Sequence, residues 1–170
     1  KAWEASIAGS TKKQRLAAAP VISNNRLFAV DTDAVVSAFA ADTGAKLWSV
    51  SIGSTGKDFE NSLFGGGASV DGNVVYATSG VGDVAALNAE DGKLLWKVKP
   101  AGPLRGAPTV AFGGVYVITQ DNQIFALNAG DGGRRRCGGL GTDVLDLGFD
   151  GEEEHDRESE TEGGAGLGEQ

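Results

Sequence analysis

The 170-residue chain contains no methionine, one cysteine and one histidine. A single thiol excludes an internal disulfide framework, and one histidine beside it leaves no cysteine-histidine cluster to hold a metal. Both residues, Cys137 and His155, fall near the C-terminal end, so nearly all of the chain is built without thiol or imidazole ligands. No apolar run approaches the roughly 18 residues of a membrane-spanning helix. With 15 basic against 23 acidic side chains there is no basic excess of the kind that marks a nucleic-acid-binding protein. The missing methionine predicts a processed chain or a fragment. Glycine is what the chain has in abundance, 27 residues, about twice the usual share.

Charge divides the sequence into two unlike parts. Residues 1-132 carry 11 basic and 12 acidic groups, whereas residues 133-170 carry 4 basic and 11 acidic. The second part has no Trp or Tyr and includes the run Glu152-Glu153-Glu154-His155-Asp156-Arg157-Glu158. Such a composition buries too little apolar surface to offset chain entropy, so residues 133-170 are expected to be a disordered acidic tail.

The first part repeats. Ala38-Phe39-Ala40-Ala41-Asp42-Thr43-Gly44-Ala45-Lys46-Leu47-Trp48 returns as Ala86-Leu87-Asn88-Ala89-Glu90-Asp91-Gly92-Lys93-Leu94-Leu95-Trp96, and again as Ala126-Leu127-Asn128-Ala129-Gly130-Asp131-Gly132. Lys1-Ala2-Trp3 resembles the end of the same unit. Within each unit, short β-branched or aromatic runs alternate with turn residues: Asn24-Asn25, Thr32-Asp33, Asp71-Gly72, Gly113-Gly114 and Asp121-Asn122. Four strands in about 40-48 residues is the size of one propeller blade. The expected fold is therefore all-β: a partial propeller of about three four-stranded antiparallel blades over residues 1-132. Gly44, Gly92 and Gly132 are expected where the hairpin before the outermost strand needs positive φ. Trp48 and Trp96 are expected to project from that strand against the neighbouring blade.

The Asp/Thr-Gly-x-x-Leu-Trp endings resemble the PQQ-like repeat of quinoprotein dehydrogenases. The connectors Arg15-Leu16-Ala17-Ala18-Ala19-Pro20-Val21, Phe64-Gly65-Gly66-Gly67 and Leu104-Arg105-Gly106-Ala107-Pro108-Thr109-Val110 resemble more closely the BamB family, propeller lipoproteins that help assemble β-barrels in the bacterial outer membrane. That resemblance implies an eight-bladed propeller without catalytic activity or cofactor, lipid-anchored at the periplasmic face of the outer membrane. Its implied partners are a BamA-like barrel-inserting protein and unfolded outer-membrane proteins. Leu104 and Arg105 match the family's partner-binding pair, although the Leu that the family places two residues earlier is Gly102 here. Three blades cannot close a ring, so an open arc with unpaired faces and edges is expected to be marginally stable. After Gly132 the repeat asks for an aliphatic at 135 and Trp at 136, but the chain has Arg135 and Arg136. A shifted reading frame or a misjoined gene end would produce that break.

Two other readings share the repeat: a fragment of a quinone-dependent dehydrogenase, and a sensor domain of a larger receptor. The enzyme needs calcium ligands, an Asp base and commonly a Cys pair, which cannot be assembled from this first part. Asp31 with Asp33, or Asp121 with Asn122, resembles a hard-cation site, but turn residues of this kind ordinarily satisfy local backbone groups. Gly65-Gly66-Gly67 lacks the strand-loop-helix context of a phosphate cradle and reads as a tightly packed lead-in to a blade. Arg134-Arg135-Arg136 reads as an incidental basic cluster, and Ser10 to Arg15 as a solvated connector. Leu104 and Arg105 have the composition of a protein-binding anchor, an exposed apolar group beside a guanidinium fork. The alternative is a connector whose Leu tucks into the blade junction.

Overall fold

The computed structural model describes residues 2–7, 18–53, 66–100 and 102–135. Eleven strands run in chain order: β1 (Val21–Ser23), β2 (Arg26–Val30), β3 (Val35–Ala40), β4 (Lys46–Ser51), β5 (Ala68–Asp71), β6 (Val74–Thr78), β7 (Val84–Asn88), β8 (Leu94–Val98), β9 (Thr109–Ala111), β10 (Gly114–Ile118) and β11 (Ile124–Asn128). They form three antiparallel meanders, β1-β2-β3-β4, β5-β6-β7-β8 and β9-β10-β11. The turns set these registers. Asn24 and Asn25 (φ 47° and 57°), like Phe112 and Gly113 (φ 51° and 69°), take the two left-handed positions of a tight hairpin whose twist matches its strands.

The sheets stack face to face, and the middle one is buried on both sides. Successive residues of β6 and β7 point to opposite faces, so Val75, Ala77, Ala85 and Leu87 join Phe28, Val30, Val36 and Ala38 of the first sheet in one core. Tyr76, Val84 and Ala86 join Val115, Val117 and Leu127 of the third sheet in another. Small residues line both junctions, Ala38, Ala77 and Ala85 in one and Ala86 in the other, and Ala38 and Ala86 lie directly opposite Trp48 and Trp96 on the paired outer strand. A register shift follows each of these alanines, between Ala38 and Phe39 and between Ala86 and Leu87. The repeat is thus kept down to its irregularities.

The third sheet has three strands among the described residues, followed by the start of a fourth. Leu127 and Arg134 form an antiparallel bridge, and the Arg135 N–H donates to Ala126 O at 2.8 Å. The chain therefore follows the blade path up to Arg135, although an aliphatic is expected there. The rest of the expected acidic tail, with Arg136, Cys137 and His155, lies outside the described residues, as do Ser10 to Arg15, Phe64 and Gly65.

Candidate partner-binding site

The outer strands are fastened by one device used three times. The indole Nε1 of Trp48 donates to Ala89 O at 3.1 Å, that of Trp96 to Ala129 O at 2.9 Å, and that of Trp3 to Ala41 O at 3.0 Å. Each ring lies on the glycine of the turn it reaches. A Cβ on Gly92 would come within 2.8 Å of the Trp48 ring, on Gly132 within 2.7 Å of Trp96, and on Gly44 within 2.5 Å of Trp3. These glycines have φ of +73° to +75°, as the hairpin requires. Their second task, leaving room for the tryptophan of the preceding unit, escaped the sequence reading. The recurring Trp-then-Gly order across successive units was its available signal.

The β2–β3, β6–β7 and β10–β11 turns lie at the opposite end of the sheets, where the connectors arrive. At equivalent positions stand Asp31, Ser79 and Thr119, and the side chain of each accepts the N–H four residues on: Val35 to Asp31 Oδ1 at 2.8 Å, Asp83 to Ser79 Oγ at 2.9 Å, Gln123 to Thr119 Oγ1 at 3.0 Å. Asp31 Oδ1 also accepts from the Asp33 N–H at 2.9 Å. Asp31 thus does the turn-satisfying work expected of it. Asn122, at φ 66°, donates its N–H to Thr119 O, while Thr119 Oγ1 bonds Asp121.

Asp31 differs from its two counterparts in carrying a charge. It is 1% exposed, and its Oδ2 has no hydrogen-bond partner. Burial pushes its carboxyl above the usual aspartate range, against the opposing pull of the Val35 and Asp33 N–H groups. A carboxyl raised on folding favours the folded state while protonated, and that advantage is lost as pH rises through its folded pKa. Relative to an Asp31→Asn variant, the wild-type chain should therefore gain stability as pH falls from neutral toward the ordinary aspartate value, then run parallel to it. Urea unfolding of both across that range checks this; a pH-independent difference would contradict it.

The connector into the third sheet carries Leu104 and Arg105. Leu104 bridges Thr119, the Gln120 N–H donates to Pro103 O at 2.9 Å, and the Arg105 N–H donates to Ile118 O at 2.8 Å. This pairing turns Leu104 inward, where it is 1% exposed and packs with Tyr76, Val84, Ala86, Val115, Val117 and Leu127. The exposed apolar anchor expected at this position is corrected: Leu104 plugs the junction between the second and third sheets. Arg105 stays exposed, with one guanidinium nitrogen donating to Gln120 O at 3.1 Å. The structure thus gives the two neighbours different environments, one in the core and one facing solvent.

The neighbouring glycines behave as a tight lead-in. Gly66 bridges Gly106 in parallel, and a Cβ on Gly66 would lie 1.6 Å from Thr78 O. Thr78 Oγ1 donates to Gly106 O at 2.6 Å and accepts from the Gly67 N–H at 3.1 Å, tying both connectors to the middle sheet. The basic residues Arg134 and Arg135 are engaged locally: Arg134 donates to Pro100 O at 2.8 Å and lies over the Phe125 ring, and Arg135 donates to Phe112 O at 3.0 Å.

The family model described as outer membrane protein assembly factor BamB matches residues 32–135, from the first β2–β3 turn to the last described residue. The chain belongs to the BamB family. The outer membrane protein assembly factor BamB of Yersinia pestis is 31% identical over 151 residues, covering 86% of this chain and 38% of that protein. The chain spans well under half the length of the curated BamB relatives it matches. The crystal structure of BamB from Moraxella catarrhalis superposes with a TM-score of 0.64 at 18% identity, over 78% of this chain and 41% of that one. The quinohemoprotein alcohol dehydrogenase of Comamonas testosteroni superposes with a TM-score of 0.59 at 23% identity, over 73% of this chain and 21% of that one. Both likenesses are of fold alone; it is the family match that makes the three stacked sheets PQQ-like repeats.

Proposed function

We propose that this chain is a non-catalytic scaffold segment of outer-membrane β-barrel assembly. It works without a cofactor at the periplasmic face of the outer membrane and binds a BamA-like barrel-inserting protein. The observation that carries the reading is the connector Gly102 to Gly106. Its backbone is pinned to the β10–β11 turn, its Leu104 is sunk in the junction, and Arg105 is left presented to solvent on a rigid base. A guanidinium has five donors, and the contact with Gln120 O uses one nitrogen of the fork. An exposed arginine on a rigid loop suits a carboxylate on a partner, because little side-chain freedom is lost on docking.

The acids of the described turns support a scaffold over an oxidoreductase. Asp31, Asp91 and Asp131 each accept a neighbouring backbone N–H, and Asp83 pairs with Ser79 and with Lys97 at 3.4 Å. Apart from Asp31 Oδ2, these carboxylates serve their own turns or the Lys97 ammonium.

Arg105→Glu should weaken capture of a BamA-like protein by about tenfold or more, as expected for loss of a charge-assisted contact. It should leave stability within about 0.5 kcal/mol. Leu104→Ala should instead cost about 2–5 kcal/mol of folding stability by emptying the junction. Pull-down alongside urea denaturation separates these effects. Undiminished capture by a folded Arg105→Glu chain would overturn the role given to Arg105.

A further inference from the structure

Aspartate is followed by glycine at Asp71-Gly72, Asp91-Gly92, Asp131-Gly132 and Asp150-Gly151. In such a pair the main-chain nitrogen of the glycine can close on the aspartate Cγ, because no Cβ crowds the approach. The first three pairs lie in the described fold and the fourth outside it. As dipeptides the three are alike, and the fold separates them. Asp91-Gly92 and Asp131-Gly132 sit in the turns that follow β7 and β11, and both halves of each pair are tied down. The Gly92 N–H donates to Asn88 O at 2.9 Å and the Gly132 N–H to Asn128 O at 2.8 Å. The carboxylates are held as well: Asp91 Oδ1 accepts from the Lys93 N–H at 2.9 Å, and Asp131 Oδ1 from the Gly133 N–H at 2.8 Å. The Trp48 and Trp96 rings then seat on the two glycines.

Asp71-Gly72 has none of these restraints. It opens the two-residue β5–β6 hairpin, with Asp71 paired to Val74 and Gly72 at the first central position at φ +58°. Asp71, Gly72 and Asn73 are all exposed. Among the described residues the Gly72 N–H donates to no group, and the Asp71 carboxylate has neither a hydrogen bond nor an ion pair. Space is open too, since a Cβ on Gly72 would meet nothing within 4 Å. The same corner is Ser23-Asn24 in the first sheet and Ala111-Phe112 in the third, so of the three hairpins the middle one carries the pair able to cyclise.

We propose that Asp71-Gly72 is a site of spontaneous modification, where the aspartate is converted to isoaspartate through a cyclic imide. The Gly72 nitrogen bonds to Cγ of the protonated Asp71 carboxyl, and the Gly72 N–H proton leaves with the carboxyl hydroxyl as water. Water then opens the imide. Attack at the former side-chain carbonyl restores aspartate. Attack at the main-chain carbonyl of Asp71 breaks the bond from that carbon to the Gly72 nitrogen, and the chain then runs on through Cβ and Cγ. One water is lost and one regained, so no other reactant enters. The product lengthens the main chain by one methylene and leaves the α-carboxylate of Asp71 as a side branch. A two-residue hairpin does not accommodate the extra atom, so the pairing of Asp71 with Val74 opens. β5 touches β1 and β9, the first strands of the two neighbouring sheets, so the loosening begins at a three-way contact. This inference goes beyond the proposed partner binding and does not rest on it.

Ageing the folded full chain in warm, mildly acidic buffer tests the site. Samples are digested with a protease that cuts before aspartate but not before isoaspartate, and the peptides are identified by mass spectrometry. The peptide left uncut at Asp71 should accumulate about tenfold or more faster than those left uncut at Asp91 and Asp131, where two hydrogen bonds must be given up before the ring closes. In urea, with those bonds gone, the three rates should converge. The urea midpoint of the aged chain should fall as isoaspartate accumulates, and an Asp71→Ser chain, with the residue that the first sheet uses at this corner, should hold its midpoint. Equal rates at the three sites of the folded chain would overturn the proposal, and so would a ratio that urea leaves unchanged. A midpoint that holds in wild-type chain carrying isoaspartate at Asp71 would overturn the loosening of β5.

Discussion

Gly66→Ala is expected to cost more than about 4 kcal/mol, the range reserved for changes that the surrounding structure cannot absorb. The added Cβ would fall 1.6 Å from the main-chain oxygen of Thr78 and 2.4 Å from its carbonyl carbon. A side chain in that place could rotate away, but a carbonyl in β6 cannot. Thr78 is held by its own N–H to Gly67 O at 2.9 Å, and its hydroxyl is held by Gly106 O and the Gly67 N–H. Relieving the overlap means separating the middle sheet from two connectors at once. Against a total stability of about 5–15 kcal/mol for an ordinary domain, that loss leaves little folded chain.

Two other glycines calibrate the result. Gly102 has open space around its position and no left-handed φ, so Gly102→Ala should stay within about 0.5 kcal/mol. Gly72 also has open space but sits at φ +58°, so Gly72→Ala should cost about 1–2 kcal/mol of backbone strain alone. Urea midpoints at matched slope rank the three. A Gly66→Ala midpoint close to that of Gly72→Ala would mean that the connector does not pack as described.

Most of the fold could be read from the residues, because each strand is short and each turn carries its own chemistry. Val74 to Thr78 and Leu94 to Val98 are bounded by turn residues on both sides, which set their limits. In the third unit the second strand begins at Gly114, inside the Gly113-Gly114 pair read as a turn, since pairing with Asn128 extends it. The repeated glycines and tryptophans were also legible as positions. The distances between them were not, because the Trp48–Gly92 contact joins different sheets and depends on how closely those sheets stack.

The interaction residues show the same division. Leu104 and Arg105 are adjacent, and nothing in their types says which of them turns inward. The bridge to Thr119 decides it, and a bridge is a long-range fact that depends on the β10–β11 turn being formed. Asp31 illustrates it again. Its role in the turn was legible from Asp31-Thr32-Asp33, but its burial and the unpartnered Oδ2 follow from the packing around it.

The pairing of Trp48 with Gly92 should appear as a large coupling in a double-mutant cycle. Trp48→Ala removes the ring that packs at 5.8 Å from Phe28 and the bond to Ala89 O; because the indole is only partly buried, about 3 kcal/mol is expected, at the low end for such truncations. Gly92→Ala adds about 1–2 kcal/mol of left-handed strain at φ +74°. It also adds about 1–3 kcal/mol for forcing a methyl group to within 2.8 Å of the ring and 3.1 Å of Val50 Cγ2. With Trp48 already replaced, most of the overlap vanishes and the strain remains. Gly92→Ala should then cost about 1–3 kcal/mol less than it does in the wild-type chain. If the two losses simply add, the indole does not occupy the space left by the missing Cβ, and the device that fastens each outer strand to the next blade is not the one described.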